Sequence, residues 1–312
     1  MTDATAVPHG GGTAPGMLAT WIQAIRAPSL SAAAIPVLLG VAVAARDGFF
    51  APGRLVLALI GAMAIQAGTN LINDYYDFKS GADSEQSLGP SMVIQRGLLT
   101  PDQVWRGGVV AFAIGAMLGL VLVYLCGWPI LALGIPSVAA GYFYTASPVA
   151  LAYVALGELT VFIFMGPVIV MGAYFVMALQ FSATALWASI PLGFMVAGIL
   201  HANNIRDIDT DLNHGKRTLA TILGRTGARY ELVVLDALAY ASVIVAVFTR
   251  TLPWIALAVF VTLPRALDQL RIVFRETDRK KLNLALFRSV QLHMEFGLLM
   301  MLAFLIAAFM RW

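Results

Sequence analysis

Nine mostly apolar stretches run through this 312-residue chain, at 28–46, 54–73, 104–126, 129–147, 156–178, 184–203, 231–248, 252–270 and 289–310. Each is close to the roughly 20 residues that an α-helix needs to span the hydrocarbon core of a bilayer. No water reaches that core to satisfy exposed backbone groups, so only helices and closed barrels cross it. These runs lack the polar–apolar alternation of barrel strands. The expected fold class is therefore all-α, a polytopic membrane protein of about nine transmembrane helices. Composition agrees: 60% of residues are hydrophobic, 12% are charged, and the mean hydropathy is +0.82. The eighth run is the most interrupted, by Pro264, Arg265 and Asp268. Residues 1–16, rich in Gly, Ala, Thr and Pro, read as a disordered tail ahead of a single transmembrane domain at 17–312.

Basic residues orient the chain. With the N-terminus in the cytoplasm, sixteen of the twenty Lys and Arg fall on the cytoplasmic side, and only Arg46, Arg54, Arg250 and Arg311 fall outside. By the positive-inside rule this sets the topology of an integral protein of a bacterial-type plasma membrane. The pI near 9.1 then reports membrane topology and calls for no nucleic-acid partner. The basic stretch 275–281 is expected to meet anionic lipid head groups. The single cysteine, Cys126, excludes an internal disulfide.

Two of these apolar runs lead into acidic clusters on the same, cytoplasmic side. The first reads Asn70-Leu-Ile-Asn73-Asp74-Tyr-Tyr-Asp77 and the second Asn203-Asn-Ile-Arg-Asp207-Ile-Asp209-Thr-Asp211. If the helices continue, Asn70, Asn73, Asp74 and Asp77 share one face, and so do Asn203, Asp207 and Asp211, while Asp209 points elsewhere. Facing each other, the stripes would form an oxygen-lined pocket for hard divalent cations, able in turn to hold a phosphorylated ligand. Asp74 and Asp207 lie 133 residues apart, each closing the second helix of a four-helix set and each followed by a long Gly-punctuated loop. Two related halves, at about 28–147 and 156–270, plus a ninth helix at 289–310, would place the clusters across a central cavity as a parallel repeat.

At these residues the chain resembles the UbiA superfamily of intramembrane prenyltransferases. The two Asp-rich motifs correspond to Asn70-x3-Asp74-x2-Asp77 and Asp207-x3-Asp211, and the likeness covers about residues 20–310. The run from Asn203 through Gly215-Lys216-Arg217-Thr218 to Ala220 is most similar to the 1,4-dihydroxy-2-naphthoate polyprenyltransferases of menaquinone synthesis. Arg26-Ala-Pro28, Gly89-Pro90, Tyr144-Thr145 and Leu156-Gly157-Glu158 also fit. After Gly89-Pro90 the family often carries a basic residue; here stand Ser91 and Met92, and the next basic residue is Arg96.

The resemblance implies transfer of a prenyl group from a polyprenyl diphosphate to an aromatic acceptor, with Mg²⁺ as cofactor. Asp74, Asp77, Asp207 and Asp211 would be the catalytic, metal-holding acids, and Asn70 and Asn203 would add neutral oxygens. Lys216, Arg217, Arg26, Lys79 and Arg96 are the candidates for the diphosphate, although each also fits the positive-inside pattern. Glu158 and Tyr144 are candidates for the acceptor side. Tyr75, Tyr76, Tyr142 and Tyr144 fit an interfacial aromatic belt, and His201 and His293 read as structural. Asp83 extends the first cluster or stands in a solvated loop. Hydroxybenzoate, homogentisate, chlorophyllide and glycerol-phosphate acceptors stay open within the superfamily. Outside it, the competing reading is a cation-coupled secondary transporter, since intramembrane acids and parallel repeats occur there too.

Overall fold

The computed structural model describes residues 16–81 and 91–310. Within them the chain is helical, and the pairing of Val154 with Arg217 is an isolated bridge. The helices are α1 (Met17–Ala24), α2 (Ser31–Arg46), α3 (Pro52–Ser80), α4 (Pro101–Cys126), α5 (Pro129–Phe143), α6 (Gly157–Ile163), α7 (Ile169–Ala178), α8 (Ala183–Asn213), α9 (Leu219–Phe248), α10 (Leu263–Arg275) and α11 (Arg279–Phe309). Among the described residues, seven helical segments are long and apolar enough to cross a membrane, counting α6–α7 as one and α2 with the short turn before it as another. The all-α expectation holds.

Two of the nine expected spans are shorter, and they hold the same, fourth, place in each set of four. The fourth is α5, at 15 residues. The eighth divides into a 3-10 segment, Trp254–Thr262, and α10, with Pro264 in the first turn of α10. The polar residues that interrupt that run are paired along α11: Arg265 with Glu295 at 2.7 Å and Asp268 with Arg288 at 3.0 Å. α10 is thus an amphipathic helix laid on α11. The short α1, absent from the expected spans, turns Met17, Leu18 and Ile22 outward and buries Thr20 and Ala24. The expected tail, Gly89-Pro90 and Asp83 fall at 1–15 and 82–90, outside the described residues, apart from Gly16.

Local sequence sets the ends of the helices that frame the acids. α4 and α9, which follow the two acid-bearing helices, both begin at a Thr capping box, Thr100 with Gln103 and Thr218 with Thr221. Each box satisfies two backbone donors that a helix start leaves open. Close helix packing relies on glycine, because apolar tails give no hydrophobic drive between helices in lipid and van der Waals contact must do the work. Pro167 interrupts the α6–α7 segment, which widens into a single π turn at Phe164–Val168. There Gly166 lies against α8, and a Cβ on it would stand 2.7 Å from the Gly193 Cα. Gly166→Val should lower the melting temperature in detergent by the equivalent of about 1–3 kcal/mol, the usual effect of overpacking. Gly53→Ala, which meets open space, should melt like wild type. Equal melting of the two variants would contradict the close contact.

Candidate active site

The helices do continue past their apolar segments. α3 runs to Ser80 and α8 to Asn213, so each acid-bearing segment is the last turns of a long helix. Below them lies a cavity of about 930 Å³, whose wall is drawn from α1 to α8 and from α11. Its polar end carries Arg26, Asn70, Asn73, Asn203, Arg206 and Asn283; the rest is lined by residues such as Leu57, Leu122, Ile130 and Val176. From Asn73 down to Leu57 the wall follows sixteen residues of α3, about 24 Å at the helical rise.

Each acid at the mouth has a different partner. Asp74 is buried and ion-paired with Arg26, whose backbone is in the left-handed region (φ 54°), a conformation that persists only where surrounding contacts impose it. Asp77 accepts a 2.7 Å hydrogen bond from the Tyr153 hydroxyl. Asp207 is gripped by Arg206, whose Nε donates at 3.0 Å, and by Arg279 at 2.7 Å. Asp211 lies 3.6 Å from Lys216 Nζ. Asp209 points away, as its position on the helix requires, and pairs with Arg225 at 2.9 Å.

Tyr153 joins the two segments. Its hydroxyl reaches Asp77 and lies 3.1 Å from Ser80 Oγ, while Lys216 Nζ stands 5.2 Å from the centre of its ring. Its carbonyl accepts from Arg217 N at 3.2 Å, and Ala155 N donates to Arg217 O at 2.7 Å. A chain of contacts, Asp77–Tyr153–Lys216–Asp211, thus spans the two acidic segments. Burial and the Asp77 carboxylate hold the Tyr153 phenol above its ordinary pKa, so it stays protonated and donates.

The other candidates are placed as follows. Asn70 donates to Ile25 O and Ser29 Oγ, both at 2.9 Å, and its oxygen accepts from Gln66 at 3.2 Å; it fixes the turn that carries Arg26. Asn203 Oδ1 accepts from Arg206 at 2.8 Å. Lys79 lies 5.8 Å from the centre of the Tyr75 ring, and Lys79, Arg96 and Arg217 are exposed. Tyr144 is on the cavity wall. Glu158 is buried at the start of α6, accepting from Asn204 at 2.9 Å and lying 3.0 Å from His201 Nδ1. The other His201 nitrogen is 2.8 Å from Ala228 O, so this cluster ties α6, α8 and α9 together. Tyr142 meets both Tyr76 and Phe112 edge-on. Ser91 and Met92 are buried, and Ser91 O accepts from Gln23 of α1 at 2.6 Å.

Reading the sequence missed Tyr153, Asn283 and Arg279. Tyr153 carries no local signal. The other two do: Arg279, Asn283, Leu286, Phe287 and Val290 follow helical spacing, and the last four line the cavity.

Among the described residues no three His, Cys, Asp or Glu converge on one point as a preformed ion cage would require. On the two acidic segments the buried Asp74 Oδ2, Asp211 Oδ2 and Asn73 Oδ1 are nevertheless left without a hydrogen-bond partner among the described residues. That donor set suits Mg²⁺, which takes hard oxygens and is usually held by one or two carboxylates together with substrate phosphate, without an all-protein cage.

The described residues thus form an all-helical membrane scaffold with an acidic mouth over an apolar cavity. Residues 33–291 match the UbiA prenyltransferase family. The chain is 32% identical over 291 residues to the 1,4-dihydroxy-2-naphthoate octaprenyltransferase of Bacillus subtilis (strain 168), covering 92% of each. It is 35% identical over 236 residues to the protein of the same name from Mycobacterium tuberculosis, covering 76% of this chain and 80% of that one. In fold it resembles a UbiA homologue from Archaeoglobus fulgidus solved with DMAPP and Mg²⁺, with a TM-score of 0.62, 15% identity, and coverage of 90% of this chain and 99% of that one. The chain belongs to the UbiA prenyltransferase family. It is a prenyltransferase, and the transporter reading falls.

Tyr153→Phe removes the hydroxyl that reaches Asp77 while keeping the ring beside Lys216. A hydrogen bond to a charged group contributes about 1.5–3 kcal/mol, so kcat/KM for the prenyl diphosphate should fall roughly ten- to hundredfold. Steady-state kinetics with unchanged constants would show the contact to be idle.

Proposed function

We infer that this enzyme alkylates 1,4-dihydroxy-2-naphthoate with the prenyl group of an allylic polyprenyl diphosphate, releasing carbon dioxide, in a Mg²⁺-dependent reaction of menaquinone synthesis. The observation that carries the reading is the meeting of two acidic segments, 133 residues apart, at the polar end of a deep apolar cavity. A diphosphate leaving group needs positive charge at that end, and its hydrocarbon tail needs the dry remainder. The acceptor is supported by the two relatives, at 32% and 35% identity, that carry the naphthoate name.

Asp74, Asp77, Asp207 and Asp211, with Asn73 beside them, would hold Mg²⁺, which when bound supplies Lewis acidity to the departing diphosphate. Lys216 adds a point charge at the same edge and Arg26 a planar fork suited to phosphate oxygens. As the allylic C–O bond breaks, its electron pair leaves with the diphosphate. The apolar wall keeps water from the carbocation that remains. The ring carbon bearing the carboxylate forms the new C–C bond. The carboxylate then leaves as carbon dioxide, and the pair from that broken bond restores the aromatic ring, so the step balances without a proton. Arg26 and Arg206 are the cationic side chains on the cavity wall, and Arg206 is already bonded to Asp207, Asn203 and Asn283.

Two outcomes test this. Asp74→Asn and Asp207→Asn should each lower turnover at least about a hundredfold, the effect of losing a transition-state contact of roughly 2.7 kcal/mol; near-normal rates in well-folded variants would defeat the role given to the acids. With carboxyl-labelled naphthoate, released carbon dioxide should match prenylated product one for one. If the enzyme instead prenylates 4-hydroxybenzoate with the carboxyl retained and ignores the naphthoate, the acceptor assignment is wrong while the family stands.

A further inference from the structure

The basic stretch before and at the start of α11 is not uniform. Arg275, Lys280 and Lys281 are exposed, and Lys281 pairs with Glu276 at 3.0 Å. Arg279 alone among these four is partly buried. As the first residue of α11, just past the Asp278 N-cap, it turns back to α8 and places its guanidinium 2.7 Å from Asp207 Oδ1. The sequence expectation of a wholly lipid-facing stretch does not apply to it.

Asp207 already has a guanidinium of its own. Arg206 is 3% exposed and held on every side: by Asp207, by Asn203 Oδ1 at 2.8 Å and by Asn283 Oδ1 at 2.7 Å. Arg279 is held far less. Its side chain is 27% exposed, Asp207 is the acceptor its guanidinium meets, and its Nε is buried without a hydrogen-bond partner among the described residues. Two cations on one carboxylate exceed neutrality by one positive charge. The tightly packed arginine supports Asp207, and the loosely held one carries the surplus charge and an unused donor at the mouth of the site.

We propose that Arg279 is a diphosphate-binding residue of this enzyme, oriented by Asp207 and donating to phosphate oxygens of the prenyl diphosphate; the proposal rests on the prenyl-transfer reading above. Chemistry favours the assignment. A guanidinium offers five N–H donors in a planar fork, can bond two anionic oxygens together, and sheds water more readily than an ammonium. The arrangement also parallels the first segment. There Asp74, the leading acid, pairs with Arg26 from the turn before α2; here Asp207, the leading acid of the second segment, pairs with an arginine from the start of α11. Two guanidiniums, one at each leading acid, would grip the diphosphate from opposite sides.

The test uses the full chain in an uncharged detergent with Mg²⁺, one long polyprenyl diphosphate, the naphthoate acceptor, and inorganic pyrophosphate as competitive inhibitor. Arg279→Gln should raise both the KM for the prenyl diphosphate and the inhibition constant of pyrophosphate tenfold or more. The acceptor KM should stay within about twofold, and the melting temperature without ligands should not move. Arg279→Lys should recover only part of the loss, because a point charge lacks the fork. Lys281→Gln should behave as wild type. An unchanged pyrophosphate inhibition constant in Arg279→Gln, or equal rises in both KM values, would overturn the proposal and leave Arg279 as a structural partner of Asp207. A defect seen only in anionic vesicles and not in detergent would overturn it in favour of lipid head-group contact. Should Arg279→Gln fail to fold, the pyrophosphate inhibition constant of Arg279→Lys decides. Absence of turnover in the wild type with these substrates would instead count against the proposed function, and pyrophosphate protection against thermal unfolding would still test the arginine.

Discussion

Four carboxylates stand at the ends of two helices whose other turns are apolar, and charge compensation at that mouth organises much of what surrounds it. An uncompensated charge next to a low-dielectric interior is strongly unfavourable, so each acid recruits a donor from another part of the chain. Arg26 reaches Asp74 from the turn before α2, Tyr153 reaches Asp77 from the α5–α6 connection, Arg279 reaches Asp207 from α11, and Lys216 reaches Asp211 from the turn after α8. The left-handed backbone at Arg26 and the strap that pairs Tyr153 with Arg217 follow from the same demand.

The same arrangement separates two environments that prenyl transfer needs side by side. Carbocation chemistry calls for strong positive charge where the diphosphate departs and for an apolar, water-poor space where the cation waits. Here the charged groups of the mouth stand on the last turns of α3 and α8, at the start of α11 and on the connections that pack on them. The cavity below is bounded mainly by Leu, Ile, Val and Ala side chains and by Gly115, Gly119, Gly134 and Gly172, which leave room for a chain. Beside that wall Gly166 packs directly against Gly193 of α8.

Much of this was legible in the sequence, for identifiable reasons. Helical spacing alone put Asn70, Asn73, Asp74 and Asp77 on one face and turned Asp209 away, because residues three and four apart on a helix share a side. The Gly-punctuated loops and the matched positions of Asp74 and Asp207 pointed to one shared mouth. Other features were hidden. The expected eighth span kept its hydrophobicity but lost its helical continuity at Pro264, and the pairing of Arg265 and Asp268 to α11 depends on a neighbour that the local sequence does not show. Asn70, which shares the acid stripe, has its amide occupied by the Arg26 turn. Glu158 carries no sign in its own segment that His201 and Asn204 will enclose it.

By itself, then, the sequence determined the elements and their chemistry: membrane helices, because apolar runs of this length have no other way to satisfy their backbone in lipid, and two oxygen-rich helix ends, because spacing along a helix is a local property. Tertiary structure alone decided which cation answers which acid. Tyr153, Arg279 and Asn283 join the site through contacts that span 76, 72 and 77 residues. Such contacts are set by how helices pack against one another: spacing along α11 puts Arg279 and Asn283 on one face, and only packing brings that face to Asp207 and Arg206.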